Sequence, residues 1–224
     1  MYKKITVMVI VIYFAAFGIS GAWAGFDLSS ISNVTKSVCS SSNISQCRTS
    51  VVNNYLAASQ ELTQSQEKSA EAFGVKKEVL EKLAVVKSLK EGNINNNDLQ
   101  KARKASEEAN AIIKQKMNET QKPSIESKKL IAESIVHLAN GSQKEKDLVM
   151  EVKNLADQAQ AAVRTASPME IWKAKDAVAI AATLSQNIPL DIKLTTDILC
   201  SYVKYAQANN ITVPKNATCL LKGE

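Results

Sequence analysis

Glycine and proline sit almost only at the borders of helical-period runs, and this placement constrains the fold more than any other feature. Gly74, Gly92 and Gly141 each follow such a run, where a left-handed helix cap is wanted. Pro123, Pro168, Pro189 and Pro214 fall at junctions as well. Between these marks apolar residues recur at three and four, not at two. The pattern predicts an all-α chain: an antiparallel bundle of about six to seven amphipathic helices with short connections.

The runs can be placed. Residues 48–73 gather Val51, Val52, Tyr55, Leu56, Leu62 and Phe73 on one side, and 75–91 continues with Val75, Val79, Leu83 and Val86. A third helix is expected from Asn97, with Gln100 in its first turn, to about Gln121. Helices are further expected over 125–139 and, from the capping box of Ser142 and Glu145, to about Val163. "SPME" predicts Ser167 as cap with Pro168 in the first helical position of a helix over 168–187, and Pro189 separates this from a last helix near 192–208. A short helix over 27–38 and an extended piece at Ile211–Val213 complete the pattern.

The start, "MYKKITVMVIVIYFAAFGISGAWAG", has the form of a secretory leader. Lys3 and Lys4 precede an apolar stretch from Ile5 to Ile19, and "AWA" at Ala22–Ala24 matches a small-x-small cleavage site. About 15 apolar residues fall short of the ~20 that span a bilayer. Residues 1–24 are therefore expected to be a cleaved signal peptide. Residues 25–224 then form a single elongated helical domain with no membrane span, in which sub-bundles 25–141 and 142–224 are one subdivision. Losing Lys3 and Lys4 lowers the formal net charge of +6 by two. The remaining mixed-charge surface, poor in aromatic rings, argues against a nucleic-acid partner. The expected location is the bacterial periplasm or the extracellular space.

Four cysteines in an exported chain predict two disulfides. Three pairings exist. Local bonds Cys39–Cys47 and Cys200–Cys219, stapling the bundle near both ends, are expected because each intervening segment contains a turn. The spacing suits neither a Cys-x-x-Cys redox site nor a zinc site with close cysteine pairs. Six Asn-x-Ser/Thr sequons, at Asn33, Asn43, Asn118, Asn140, Asn210 and Asn216, matter only in a eukaryotic secretory pathway.

Catalytic inventories are lacking. One histidine, His137, rules out a di-iron bundle with two Glu-x-x-His motifs. It reads best as a boundary residue near a helix C-terminus. No nucleophile elbow or glycine-rich phosphate loop accompanies it. The expectation is a non-enzymatic protein, without cofactor or metal, that serves protein–protein interaction or envelope and surface assembly. An alternative is a periplasmic or secreted carrier of an apolar ligand, its pocket lined by Trp172, Tyr202 and Tyr205. A weaker alternative is a haem or metal carrier centred on His137.

Overall fold

A computed structural model describes residues 43–222, except 166, 168 and 169. The described residues form six α-helices and no strand: α1 (Ile44–Ala72), α2 (Lys76–Lys87), α3 (Asn96–Glu119), α4 (Ile125–Thr165), α5 (Ile171–Ala208) and α6 (Lys215–Lys222), with a 3₁₀ turn at Glu91–Asn93 between α2 and α3. The all-helical expectation holds. The expected leader, the front helix over 27–38 and Cys39 lie outside the described residues.

Where the chain must reverse, local chemistry does what the sequence suggests. Gly74 follows α1 with φ 72°, and the Val75 N–H reaches back to the Ala70 carbonyl at 2.9 Å. This left-handed cap leaves Val75 buried against the core. The end of α5 repeats the device without glycine. Asn210 takes φ 54°, the Ile211 N–H bonds the Ala206 carbonyl at 2.8 Å, and Ile211 is buried. Asparagine tolerates that conformation better than other side-chain-bearing residues. At the start of α3 the cap is Asn95, whose Oδ1 accepts the Asp98 N–H at 3.0 Å. The cap thus lies two residues before the expected Asn97.

Two expected breaks do not occur. α4 runs unbroken through Asn140–Gly141, and α5 runs through Pro189. Gly141 is instead the close approach of α4 to α1. A Cβ added there would stand 3.2 Å from the Glu61 Cβ and 3.4 Å from the Ala58 carbonyl oxygen. Ser142 and Glu145 are consequently helix-interior residues and not a capping box. Pro189 removes the partner of the Ser185 carbonyl, but Ser185 is exposed, so water can serve that oxygen. On the opposite side Leu184, Ile188 and Ile192 keep one apolar stripe buried across the proline, which holds the helix together. α5 starts at Ile171, later than expected, although Ser167 Oγ does donate to the Glu170 carboxylate at 3.0 Å.

α4 and α5 form an antiparallel hairpin of helices about 60 Å long. α1 lies along α4, also antiparallel: successive links run Asn54–Glu151, Glu61–His137, Lys68–Glu133 and Ala72–Ser127. α2 and α3 form a shorter pair, tied at its surface by Lys82–Glu108. The apolar core is divided into two clusters. One joins Leu62, Leu83, Ile113, Ile135, Ile198 and Tyr202, and the other joins Val52, Leu99, Leu148, Leu155, Leu184 and Ile188. Both draw on α1, α3, α4 and α5, so the division cuts across the helices. The boundary between the sub-bundles considered from sequence falls inside α4.

The C-terminal staple is a correction: Cys200 and Cys219 are free thiols. The extended piece at Ile211–Val213, folded back along α5, was expected to bring them together. Residues 211–214 are non-helical, and the chain then forms α6, which buries Ala217 completely. At about 100° per residue, Cys219 then points to the far side of that helix, into solvent. Cys47 is buried near the start of α1.

Candidate polar site between the two cores

The gap between the two apolar clusters is filled by polar side chains. Tyr55 comes from α1, Arg103 from α3, Glu145 from α4, and Asn187, Asp191 and Thr195 from α5. Helical spacing puts them there. Glu145 continues the stripe of Leu138 and Gly141 towards Leu148 and Val152, and Asp191 and Thr195 continue that of Leu184 and Ile188 towards Ile198 and Tyr202. Each of these polar residues therefore faces inward by the same periodicity that buries its apolar neighbours.

Asp191 is the hub. Its Oδ1 accepts from Arg103 Nε at 2.8 Å, and its Oδ2 accepts from the Tyr55 hydroxyl at 2.9 Å. Arg103 also donates to the Asn187 Oδ1 at 2.9 Å, and the Asn187 amide donates to Asn96 Oδ1 at 2.7 Å. Burial raises the Asp191 carboxyl above its usual range, with Arg103 pulling the other way. Burial, with the Asp191 charge next, pushes the Tyr55 phenol well up.

Glu145 is only half satisfied. Thr195 Oγ1 donates to its Oε1 at 2.9 Å, while Oε2 is buried without a partner. The side chain is buried, and desolvation together with the nearby Asp191 carboxylate pushes its acid up to about 8. A carboxylic acid so placed is neutral at pH 7 and can donate as well as accept. Beside it, Gln66 and Ser106 close a reciprocal pair: the Gln66 amide donates to the Ser106 carbonyl, and Ser106 Oγ donates to Gln66 Oε1.

A cavity of about 30 Å³ opens at this place, lined on its polar side by Tyr55, Arg103, Ser106, Glu145 and Asp191. A larger groove of about 390 Å³ runs between α1 and the end of α2, with Gln60, Gln64, Glu67 and Lys87 at its polar rim. Ser59, Val86 and Leu89 line both.

The residues expected to line an apolar pocket are not gathered. Trp172 stands 62% exposed in the first turn of α5. Tyr202 is fully buried in the core near the other end of that helix, where burial pushes its phenol up and the Ser69 hydroxyl offsets this in part, although the two do not reach hydrogen-bonding geometry. Tyr205 donates to the Thr120 carbonyl at 3.0 Å and packs edge-on to Phe73 at 5.4 Å between ring centroids. None of the three lines either cavity.

His137 lies mid-helix, because α4 continues past it, and its Nδ1 meets the Glu61 carboxylate at 2.8 Å. Among the described residues no group of three or more His, Cys, Asp or Glu side chains is arranged to hold a metal ion, and no helix is long and apolar enough to cross a membrane.

The polar site itself was not foreseen from sequence. Its signal was present as charged residues at core positions of otherwise apolar stripes, Glu145 and Asp191 above all. No family model, no curated protein and no solved structure matches this chain.

Proposed function

We propose that this chain is an exported, non-enzymatic helical protein that acts through protein–protein interaction, in envelope or cell-surface assembly. The observation that supports it is Trp172, 62% exposed at one end of the α4–α5 hairpin with Lys173 Nζ 5.7 Å from its ring centroid. Tryptophan is the residue most enriched at the energetic centres of protein interfaces, and leaving a large aromatic ring in water has no folding benefit. Isolated aliphatic residues at the surface, such as Val85 and Leu190, are ordinary by comparison. The leader pattern supports export. The carrier reading draws no comparable support, since its aromatic lining is dispersed along α5.

Trp172 and Trp23 are the only tryptophans, so cleavage after Ala24 leaves a single indole reporter. Intact mass of protein recovered from the source cells should begin at Gly25. A photoreactive residue at position 172, introduced in those cells, should form a discrete adduct with one envelope or surface protein. The same residue at exposed Lys153 on α4 should not. A retained leader counts against export, and equal or absent adducts at both positions count against Trp172 as an interface anchor.

A further inference from the structure

Glu145 Oε2 is a buried polar atom with no partner among the described residues, and its side chain lines a void. Desolvating a carboxyl oxygen without a hydrogen bond is costly, so such an atom calls for an occupant. At about 30 Å³ the cavity admits a group about the size of a water molecule and nothing much larger. Its electrostatics select the sign. Asp191 is already matched by Arg103, whose Nε donates to it while Nη2 donates to Asn187, whereas Glu145 has no ion-pair partner among the described residues. Two acceptors stand beside it. The Tyr55 and Ser106 hydroxyls each give their proton away, to Asp191 and Gln66, leaving oxygen lone pairs free.

We propose that the cavity and the adjoining groove form a binding site for a small primary alkylammonium ion, with its ammonium group at Glu145 Oε2 and its alkyl chain leading out past Ser59, Val86 and Leu89. An –NH₃⁺ group has the size of the cavity and three donors for Glu145, Tyr55 and Ser106. The apolar side chains of Val86 and Leu89 cover the path that an alkyl chain takes into the groove of about 390 Å³. An anion is disfavoured by the two carboxyls. The other titratable groups facing Glu145 are Tyr55 on α1, Arg103 on α3 and Asp191 on α5. Because the free acid is neutral up to about pH 8, binding the cation expels the Glu145 proton to solvent. This site does not depend on the interaction role proposed above.

The test is titration calorimetry and thermal melting of the purified protein with n-butylammonium, ammonium, potassium and tetramethylammonium chlorides at equal ionic strength. Butylammonium should bind and raise Tm, with affinity growing about tenfold per pH unit up to about pH 8 and then levelling off. Glu145→Gln, which keeps the size and can still accept the Thr195 bond, should abolish binding. Ser59→Leu, which narrows the passage without touching Glu145, should abolish the butylammonium response while leaving the fold and the pH dependence of stability intact. The proposal is overturned if butylammonium has no effect, if its effect survives Glu145→Gln, or if it does not vary with pH. Potassium, tetramethylammonium or ammonium matching or exceeding butylammonium overturns it equally.

Discussion

Replacing Glu145 by Gln should remove most of the pH dependence of folding stability between mildly acidic and mildly alkaline conditions. In the unfolded chain the Glu145 acid loses its proton near 4.5, and in the folded protein near 8. Between those values the folded state holds one more proton than the unfolded state, so stability falls as pH rises. The full contribution is present below about pH 4.5 and is gone above about pH 8. Each pH unit of this window contributes about 1.4 kcal/mol, so the difference across it is on the order of 5 kcal/mol. The raised Asp191 acid works in the same direction and remains in the variant. Gln cannot ionise, so the variant should equal or slightly trail the parent in acid and exceed it in mild alkali. The assay is urea unfolding followed by far-UV circular dichroism over about pH 4 to 9, with each variant's free energy extrapolated to water. Two parallel curves would refute the assignment, because they would mean that Glu145 ionises with little cost in the folded protein.

Arg103→Met should destabilise by about 2–4 kcal/mol, because it strands the largely buried Asp191 carboxylate, and the loss should shrink in acid as Asp191 protonates; urea midpoints at two pH values check this. Gly141→Val should cost at least about 2 kcal/mol by forcing α4 away from Ala58 and Glu61, seen as a lowered melting temperature despite the better helix propensity of valine. Cys219→Ser should shift stability by no more than about 0.5 kcal/mol, and Cys219 should react rapidly with a thiol reagent in the native protein while Cys200 reacts more slowly. Failure of Cys219 to react would restore the disulfide expected from sequence.

The helical class and most helix ends were legible in the sequence because they depend on local chemistry. Period-3.6 stripes need an inward face, Gly74 can adopt a left-handed cap, and Asn209–Asn210 can turn the chain. Those signals act over a few residues and survive whatever packs around them. Gly141 and Pro189 carry equally strong local signals that tertiary packing overrode. In the first case α1 comes so close that an added Cβ would stand 3.2 Å from the Glu61 Cβ. In the second, apolar burial on both sides of the proline outweighs one hydrogen bond that water can replace. Merging four expected helices into α4 and α5 is what gives the molecule its length. The free Cys200 and Cys219 follow from the same kind of decision, since a helix at α6 rotates one thiol outward. The polar layer lies furthest from sequence. Glu145 looks like a capping residue, Asp191 like the charge after a proline, and Arg103 like one more cation in a lysine-rich helix. Only the side-by-side arrangement of four helices puts all three between two apolar cores. There, removal from water turns ordinary surface residues into an ion pair, a neutral acid and an open cavity.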